Sequence, residues 1–308
     1  ALAGLLLAAG CTVGPDYETP EIEVPDAWAN AAAADIADSS HVLKDWWSAL
    51  GDTLLNILMD RADEGNLDLA AAVGRIREAR AYRQIAGGDY WPQIDLQGQF
   101  SRSELSEYGS SGGFVALGGA NPANNWEFGL GASWELDVFG RVRRAVEATN
   151  AQVEASIEDY RDVLVTLYAD IATSYVNIRA LQARLAFAED NVLSQRETME
   201  VVTAREDAGL VPLLDVTRAR SNLANTEATI PQLETQLEAE LNALALLLGE
   251  YPGSFHEFMT PRVDLPQPEY SILAQWPAET QRRRPDVRRA ERDLAAHTAR
   301  IGVATADL

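Results

Sequence analysis

The sequence contains little cysteine and little histidine, and these shortages exclude several classes of function. Cys11 is the only cysteine, so the chain cannot form an internal disulfide. The three histidines, His41, His256 and His297, lie far apart and lack metal-ligand spacing. No glycine-rich phosphate-binding loop precedes a predicted helix. We therefore expect no catalytic residue, no metal site and no bound cofactor.

Positive charge and long apolar runs are scarce as well. The chain has 25 lysines and arginines against 47 acids, a net charge of −22, which argues against nucleic acid as a partner. No run of 18 or more apolar residues occurs, which excludes a membrane-spanning helix within these residues. With 308 residues, 47% of them hydrophobic, the chain can still form a substantial core.

The middle of the chain lacks the residues that end helices. No glycine or proline occurs within residues 141–208, which predicts one continuous helix of about 100 Å. Alternate steps of four and three from Val153 to Val202 define a heptad seam, which is apolar or aromatic at 13 of 15 positions and is typical of helices packed side by side. A shorter row beside the seam predicts a second neighbour: Val165, Tyr168, Ala172 and Tyr175.

The start of the chain has the composition of an export signal. Residues 1–10 are apolar and end in small residues, so we interpret them as a signal-peptide remnant. Cys11 follows directly and resembles the acylated cysteine of a bacterial lipobox, although Ala8 stands where leucine is usual. We expect a covalent lipid on Cys11; the alternative is an ordinary buried thiol. Residues 11–44, with several prolines and then many alanines, predict an extended tether.

Two segments change from the helical period to strict alternation. Residues 93–108 and 126–139 therefore predict amphipathic strands, joined by a loop rich in glycine, serine and asparagine. A half-buried soluble sheet would show the same alternation. The spacing from Trp126 to Trp134, about 26 Å along a strand, favours a membrane-exposed apolar band. We predict a lipid-facing girdle of Trp126, Phe128 and Trp134 and lumen-facing acids at Glu127, Glu135 and Asp137.

The remaining segments predict further helices and a repeat. Helices are expected over 45–64, 67–90 and 213–248, the last kinked at Pro231, and a proline-rich connector over 249–280. Asn66 is a candidate helix cap. Residues 281–308 repeat the pattern of the 67–90 helix at an offset of 218, with Asp68 matching Asp286. The chain thus predicts two tandem copies of one unit, 45–248 and an incomplete copy from 281, as in a fragment of a longer protein.

An ordered set of short motifs resembles the outer-membrane factors of bacterial tripartite efflux and type I secretion systems. These are TolC-like channels, and the closest similarity is to their lipoprotein branch of NodT/OprM type. The motifs are 11–17 (CTVGPDY), 46–47 (WW), 66–69 (NLDL), 78–81 (EARA), 134–141 (WELDVFGR), 205–209 (REDAG), 215–216 (DV), 246–249 (LLLG) and 283–286 (RRPD). They span the whole chain.

The resemblance implies a mostly α-helical membrane protein that forms a homotrimer. Each complete chain would give four strands to a shared 12-stranded transmembrane β-barrel and long antiparallel helical columns to a periplasmic α-barrel. The expected location is the bacterial outer membrane, with lipid anchoring and a long periplasmic extension. Expected partners are a periplasmic adaptor protein and an inner-membrane pump, which together move efflux substrates through the passive channel.

The resemblance also implies a contact site at the periplasmic helical tip. In the family these tips meet the adaptor hairpin, so Arg205, Gly209, Leu210 and Val211 are the candidate contacts. Gly209 would equally be explained by the reversed backbone of the turn alone. The alternative function is a periplasmic coiled-coil lipoprotein with a structural or adaptor role and no pore. That alternative does not account for tryptophan-bearing strands placed between two helices.

Overall fold

The computed structural model describes residues 12–21, 45–104, 122–259 and 281–308. The predicted signal remnant, Cys11, most of the predicted tether and most of the predicted connector lie outside these ranges. The chain divides into two compact units. We call them the hairpin unit (residues 1–19, 78–154 and 292–308) and the helical unit (residues 20–77 and 155–291).

Helices make up most of the described residues, and one antiparallel pair of strands lies between the second and third α-helices in chain order. A short 3-10 helix, Trp46–Leu50, comes first. The other elements are α1 (Thr53–Gly65), α2 (Leu67–Gly88), β1 (Gln93–Ser103), β2 (Ala123–Ser133), α3 (Arg141–Asp207), α4 (Leu213–Glu227), α5 (Thr229–Leu247), α6 (His256–Met259) and α7 (Pro285–Ala306). No helix among these described residues combines the length and the apolar composition needed to cross a bilayer.

Two predicted helices are divided in the structure. The segment expected at 45–64 breaks at Gly51, which has a φ of +67°, and Asp52 then caps α1 by accepting a hydrogen bond from the Leu54 N–H at 2.8 Å. The segment expected at 213–248 breaks between Glu227 and Thr229 rather than kinking at Pro231. Pro231 has no N–H to bond the carbonyl four residues earlier, and its ring clashes with that carbonyl. That carbonyl belongs to Glu227, the last residue of α4.

Helix α3 begins and ends within one residue of the predicted range, and its seam is covered. All fifteen seam positions from Val153 to Val202 are buried or half-buried. The second row behaves differently at its start, because Val165 is 57% exposed. Tyr168 does contact another element, since its ring centroid lies 4.6 Å from that of Trp47. The second neighbour predicted for α3 therefore begins at Tyr168, and the prediction for Val165 was wrong.

The core of the helical unit is built from large side chains of α1, α3 and α5. Its fully buried members include Leu55, Leu58, Ile171, Ile178 and Leu244. Burying one such side chain contributes roughly 1.5–3 kcal/mol.

Hydrogen-bonded polar side chains lie at the edges of this core. The Asn66 side chain accepts a hydrogen bond from the Leu69 N–H at 2.9 Å and donates one to the Leu247 carbonyl at 2.8 Å. The predicted cap is therefore confirmed, and it also holds the end of α5. A chain of polar groups runs from the half-buried Asp52 through the hydroxyl of the buried Tyr175 to the buried Arg179. Burial and the hydrogen bond to Asp52 raise the pKa of Tyr175 to about 12.

The predicted repeat reappears as two matching helices. Helices α2 and α7 each have 22 residues, and their first residues, Leu67 and Pro285, differ by the predicted offset. Each carries an acid in its first turn, Asp68 and Asp286, where the positive end of the helix dipole favours negative charge. The agreement in starting position and in charge supports two copies of one helical unit.

Candidate membrane hairpin, elbow and helical tip

Strands β1 and β2 pair in a register that places like side chains together. The apolar pairs are Ile94 with Ala132, Leu96 with Leu130, Gly98 with Phe128 and Phe100 with Trp126; the polar pairs include Gln93 with Ser133, Gln97 with Gly129 and Gln99 with Glu127. Because side chains alternate along a strand, a slip of one residue would mix the two sets. The register therefore produces one apolar face and one polar face.

The apolar face is exposed along its whole length in the described chain. Leu96 is 78% exposed and Phe128 75%. Aromatic contacts run along the face, with 4.4 Å between the ring centroids of Phe100 and Trp126, and the Phe128 ring covers Gly98. A continuous exposed apolar strip of this kind is typical of a surface that contacts lipid or another protein. Of the predicted girdle, Trp126 and Phe128 lie on this strip.

The other predicted girdle residue, Trp134, lies just beyond the end of β2. The strand ends at Ser133 rather than at 139, and it begins at Ala123 rather than at 126. The Trp134 indole N–H donates to the Tyr90 carbonyl at 3.3 Å, while its ring stays more than half exposed. The indole therefore sits at the base of the hairpin with its polar atom satisfied, an arrangement typical of a membrane interface.

The predicted lumen-facing acids separate into two groups. Glu127 lies on the polar face of β2, opposite Gln99. Glu135 and Asp137 lie outside the strand and bind arginines instead. Glu135 accepts two hydrogen bonds from the Arg141 guanidinium, both at 3.3 Å. The expectation that Glu135 and Asp137 belong to a strand was wrong, because the alternation continues into a non-strand segment.

Asp137 lies in the connection between the hairpin and α3, residues 134–140, which we call the elbow. Its carboxylate accepts hydrogen bonds from the backbone N–H groups of Val142 and Arg143, each at 3.0 Å, and from the Arg143 side chain at 3.1 Å. These groups are among the unsatisfied donors at a helix start. Burial alone would raise the pKa of Asp137, but the hydrogen bonds and the charge of Arg143 outweigh it and lower that pKa below 3.8.

The N-terminal segment lies against this elbow. The Val13 N–H donates to the Phe139 carbonyl at 3.2 Å. Gly140, with a φ of +86°, packs so closely on Thr12 that an added Cβ would lie 2.8 Å from the Thr12 Cγ2. Arg144, buried except for 3% of its surface, binds the same segment. The motif 134–141 therefore joins the hairpin, α3 and the N-terminal segment. Asp137 is needed for the start of the helix, and Gly140 for the close approach of Thr12.

The tip between α3 and α4 is a tight helical reversal. The Gly209 N–H donates to the Glu206 carbonyl at 2.8 Å and the Leu210 N–H to the Arg205 carbonyl at 2.9 Å, the hydrogen-bond pair of a Schellman motif. Gly209 has a φ of +74°, which a glycine adopts without strain. The conformation explains Gly209 fully, so its role as a contact residue stays a prediction.

Exposed apolar side chains surround the tip. Leu210 is 74% exposed, and Leu213 and Leu214, just after Pro212, are also exposed by more than half. Arg205 is exposed and Val211 half-buried. The sequence analysis did not name Leu213 and Leu214 as candidate contact residues, although two adjacent leucines at the start of a helix are a usable signal. It also missed Arg144, for which no local pattern exists.

The described residues show no cluster of three or more histidine, cysteine, aspartate or glutamate side chains able to hold a metal ion. The hairpin and the tip present exposed apolar side chains, hydrogen-bonding groups and charged side chains.

Comparisons with known proteins show which proteins share this arrangement. The sequence model of the outer membrane efflux protein family matches residues 58–250. The chain is 34% identical to Nodulation protein T of Rhizobium leguminosarum bv. trifolii, over 98% of this chain and 63% of that protein. It is 31% identical to the pyoverdine export outer membrane protein OpmQ of Pseudomonas aeruginosa, over 100% of this chain and 64% of that protein.

One solved structure is similar to this chain in both fold and sequence. The outer-membrane channel OprN matches with a TM-score of 0.82 and 37% identity, over 97% of this chain and 65% of that one. The chain thus spans less than two thirds of the length of the relatives it matches.

Proposed function

Because the chain belongs to the outer membrane efflux protein family, we propose that it is part of a passive outer-membrane efflux channel. Substrate would pass from an inner-membrane pump through a periplasmic adaptor and out of the pore. The energy is supplied by the pump, and the chain has no catalytic role.

The two-faced hairpin carries this proposal. Its six large apolar residues share one exposed face, while glutamines, Asp95 and Glu127 occupy the other. A bilayer on one side and water on the other satisfy both faces. Among the described residues the sheet has two strands and both of its edges are unpaired, however, and unpaired edges are not tolerated in lipid. The hairpin therefore needs further strands, which a homotrimer of the complete chain would supply.

A covalent lipid on Cys11 completes the proposed attachment to the outer membrane. It follows from the resemblance of the segment before Cys11 to a lipobox. Mass spectrometry of the N-terminal peptide tests it directly, because the acyl groups add a defined mass.

The tip is the proposed adaptor contact. Leu210 and Leu213 present exposed apolar surface beside Arg205, a combination of apolar anchor and polar rim that suits a protein partner. Replacing Leu210 with aspartate should weaken adaptor binding at least about tenfold, as expected for an interface anchor. Leu246→Asp is the matched control, since Leu246 is an equally exposed leucine of α5. Equal effects of both variants would contradict a specific tip contact.

The polar face of the hairpin is the proposed pore lining. Asp95 and Glu127 lie on it, so we expect the pore to prefer cations. Glu135 and Asp137 are engaged with arginines and contribute less net charge. Glu127→Gln should reduce the cation preference, whereas Glu64→Gln, the same change on an exposed position of α1, should not.

The decisive experiment is reconstitution of the full-length protein in planar bilayers. Stepwise conductance together with a heat-modifiable trimer in detergent supports the channel. A monomer without conductance would favour the alternative of a coiled-coil lipoprotein with no pore.

A further inference from the structure

Residues Thr12 to Tyr17 are held in a built site of the hairpin unit. Arg144 is the centre of that site. Its Nε donates to the Val13 carbonyl at 3.1 Å, and one terminal nitrogen donates to the Gly14 carbonyl at 3.2 Å and to the Asp16 carboxylate at 2.7 Å.

Arg144 is itself fixed on its other side. Its remaining terminal nitrogen donates to Glu147 at 2.8 Å, one helical turn further along α3. The Arg144 residue has 3% of its surface exposed, and hydrogen bonds to a charged group are stronger than those between neutral groups. The side chain is therefore preorganised to receive the segment.

Two glycines make the close approach possible. Gly14 has a φ of +93°, and a Cβ there would lie 2.4 Å from the Cα of Gly302 in α7. A Cβ on Gly302 would in turn lie 2.8 Å from the Arg144 Cγ. The segment, Arg144 and α7 thus meet without room for a side chain on either glycine.

The last part of the segment reaches α7. The Tyr17 ring packs on Ala151, Ala295 and Ala296, and the Arg292 guanidinium lies 5.4 Å from its centre. The segment consequently contacts the start of α3, which belongs to the first repeat, and α7, which belongs to the second.

We propose that residues 12–17 form an anchor clasp, in which Arg144 is the positioning residue that fixes where the lipid on Cys11 leaves the protein. The inference rests on the proposed lipidation of Cys11. Cys11 is one peptide bond from Thr12, and Val13 is bonded to the elbow at Phe139. The acyl chains would then enter the membrane beside the base of the hairpin, rather than at the end of a free tether.

Hydrogen exchange of the 12–21 peptide in the full-length protein tests the clasp itself. Arg144→Gln should speed exchange of the Val13 amide by on the order of ten- to hundredfold, because charged hydrogen bonds are lost. Arg80→Gln, the same change at an exposed arginine of α2, should have no effect. Asp16→Asn removes an exposed partner of Arg144 and should give a smaller increase without loss of folding.

A Cys11→Ser variant separates the clasp from membrane attachment. Protection of Val13 should persist without the acyl group, because Arg144 and not the lipid holds the segment. Loss of protection in Cys11→Ser, or its retention in Arg144→Gln, would overturn the clasp. Protection as predicted, in a protein that shows no conductance, would overturn the proposed channel and leave the clasp standing.

Photoreactive fatty acids incorporated at Cys11 test where the anchor lies. Cross-links should concentrate in the hairpin peptides covering β1 and β2. Six Gly and Ser residues inserted after Cys11 should disperse them, whereas the same insertion after Glu21, beyond the clasp, should not. Equal dispersal by the two insertions, or no acyl group on Cys11, would overturn the anchor placement.

Discussion

The helical unit and the hairpin unit differ in whether their large apolar side chains are buried. The helical unit buries leucines, isoleucines and aromatic rings against one another in one large cluster. Among the described residues of the hairpin unit, the cluster consists of Ala151, Ala295 and Ala296 with Tyr17, and the large apolar side chains remain exposed on the strands. Large apolar side chains therefore have two different environments in this chain. The helical unit covers its large apolar side chains with one another, whereas the described residues of the hairpin unit leave those of the strands uncovered.

The largest expected effect comes from a charge placed on the apolar strip. Leu96→Arg should nearly abolish insertion of the full-length protein into lipid vesicles, since arginine on a lipid-facing strand costs about 2–4 kcal/mol at the bilayer midplane. Gln97→Arg, one residue further on the polar face, should insert normally. If the hairpin lay in water, both variants would behave alike, because both side chains are exposed.

A smaller but still large effect is expected from opening the core of the helical unit. Leu244 is fully buried, and Leu246, two residues later, is 73% exposed. Leu244→Ala should lower the free energy of unfolding by about 3 kcal/mol, through lost burial and the cavity left behind. Leu246→Ala should change it by less than about 0.5 kcal/mol. Chemical denaturation of both variants checks the difference, and equal midpoints would contradict this assignment of the core.

The elbow should make a moderate contribution that depends on pH. Asp137→Ala should destabilise the start of α3 by about 1 kcal/mol at neutral pH, the usual cost of losing a helix cap. Because folding lowers the pKa of Asp137, its contribution is present above the ordinary value of 3.8 and is lost as the pH falls through the lower folded value. Wild type and variant should therefore converge in stability as the pH falls below 3.8 and the carboxyl becomes protonated. A difference that stays constant from pH 7 to pH 2 would rule out the cap.

The smallest expected effect lies at the start of α6. His256 and Glu238 form a partly exposed pair at 2.7 Å, and the hydrogen bond to Glu238 raises the pKa of His256 above 6.5. This contribution is complete below pH 6.5 and is lost as the pH rises through the raised value. It should amount to a few tenths of a kcal/mol, as for other exposed pairs. Glu238→Gln should flatten the stability profile in this range, which thermal melts across pH can measure.

Sequence reasoning succeeded where local composition decides the structure. Helix α3 could be bounded within one residue because glycine and proline are missing from it, and the Asn66 cap was visible in its own turn. The strand ends were missed because the alternation of polar and apolar residues continues from Trp134 to Val138, where backbone pairing has already stopped. The break before Pro231 came from a clash four residues upstream, which moved the helix end to Glu227.

The residues that sequence reasoning missed depend on contacts between distant parts of the chain. Arg144 meets Asp16 across 128 positions, and neither residue stands in a recognisable motif with the other. The glycine pair Gly14 and Gly302 is likewise visible only once both backbones are placed. Motifs at 11–17 and 134–141 could be recognised separately, but their joint role at the elbow required coordinates.

The pairing of β1 with β2 has a consequence for pore engineering. Since the faces alternate with a period of two, adding two residues to each strand would raise the wall by about 7 Å while keeping every existing side chain on its own side. Adding one residue to each strand would move the side chains beyond the insertion to the opposite face of the sheet. In the proposed channel, the height of the strands should therefore be adjustable in fixed increments, so that extended versions of this hairpin match thicker synthetic membranes.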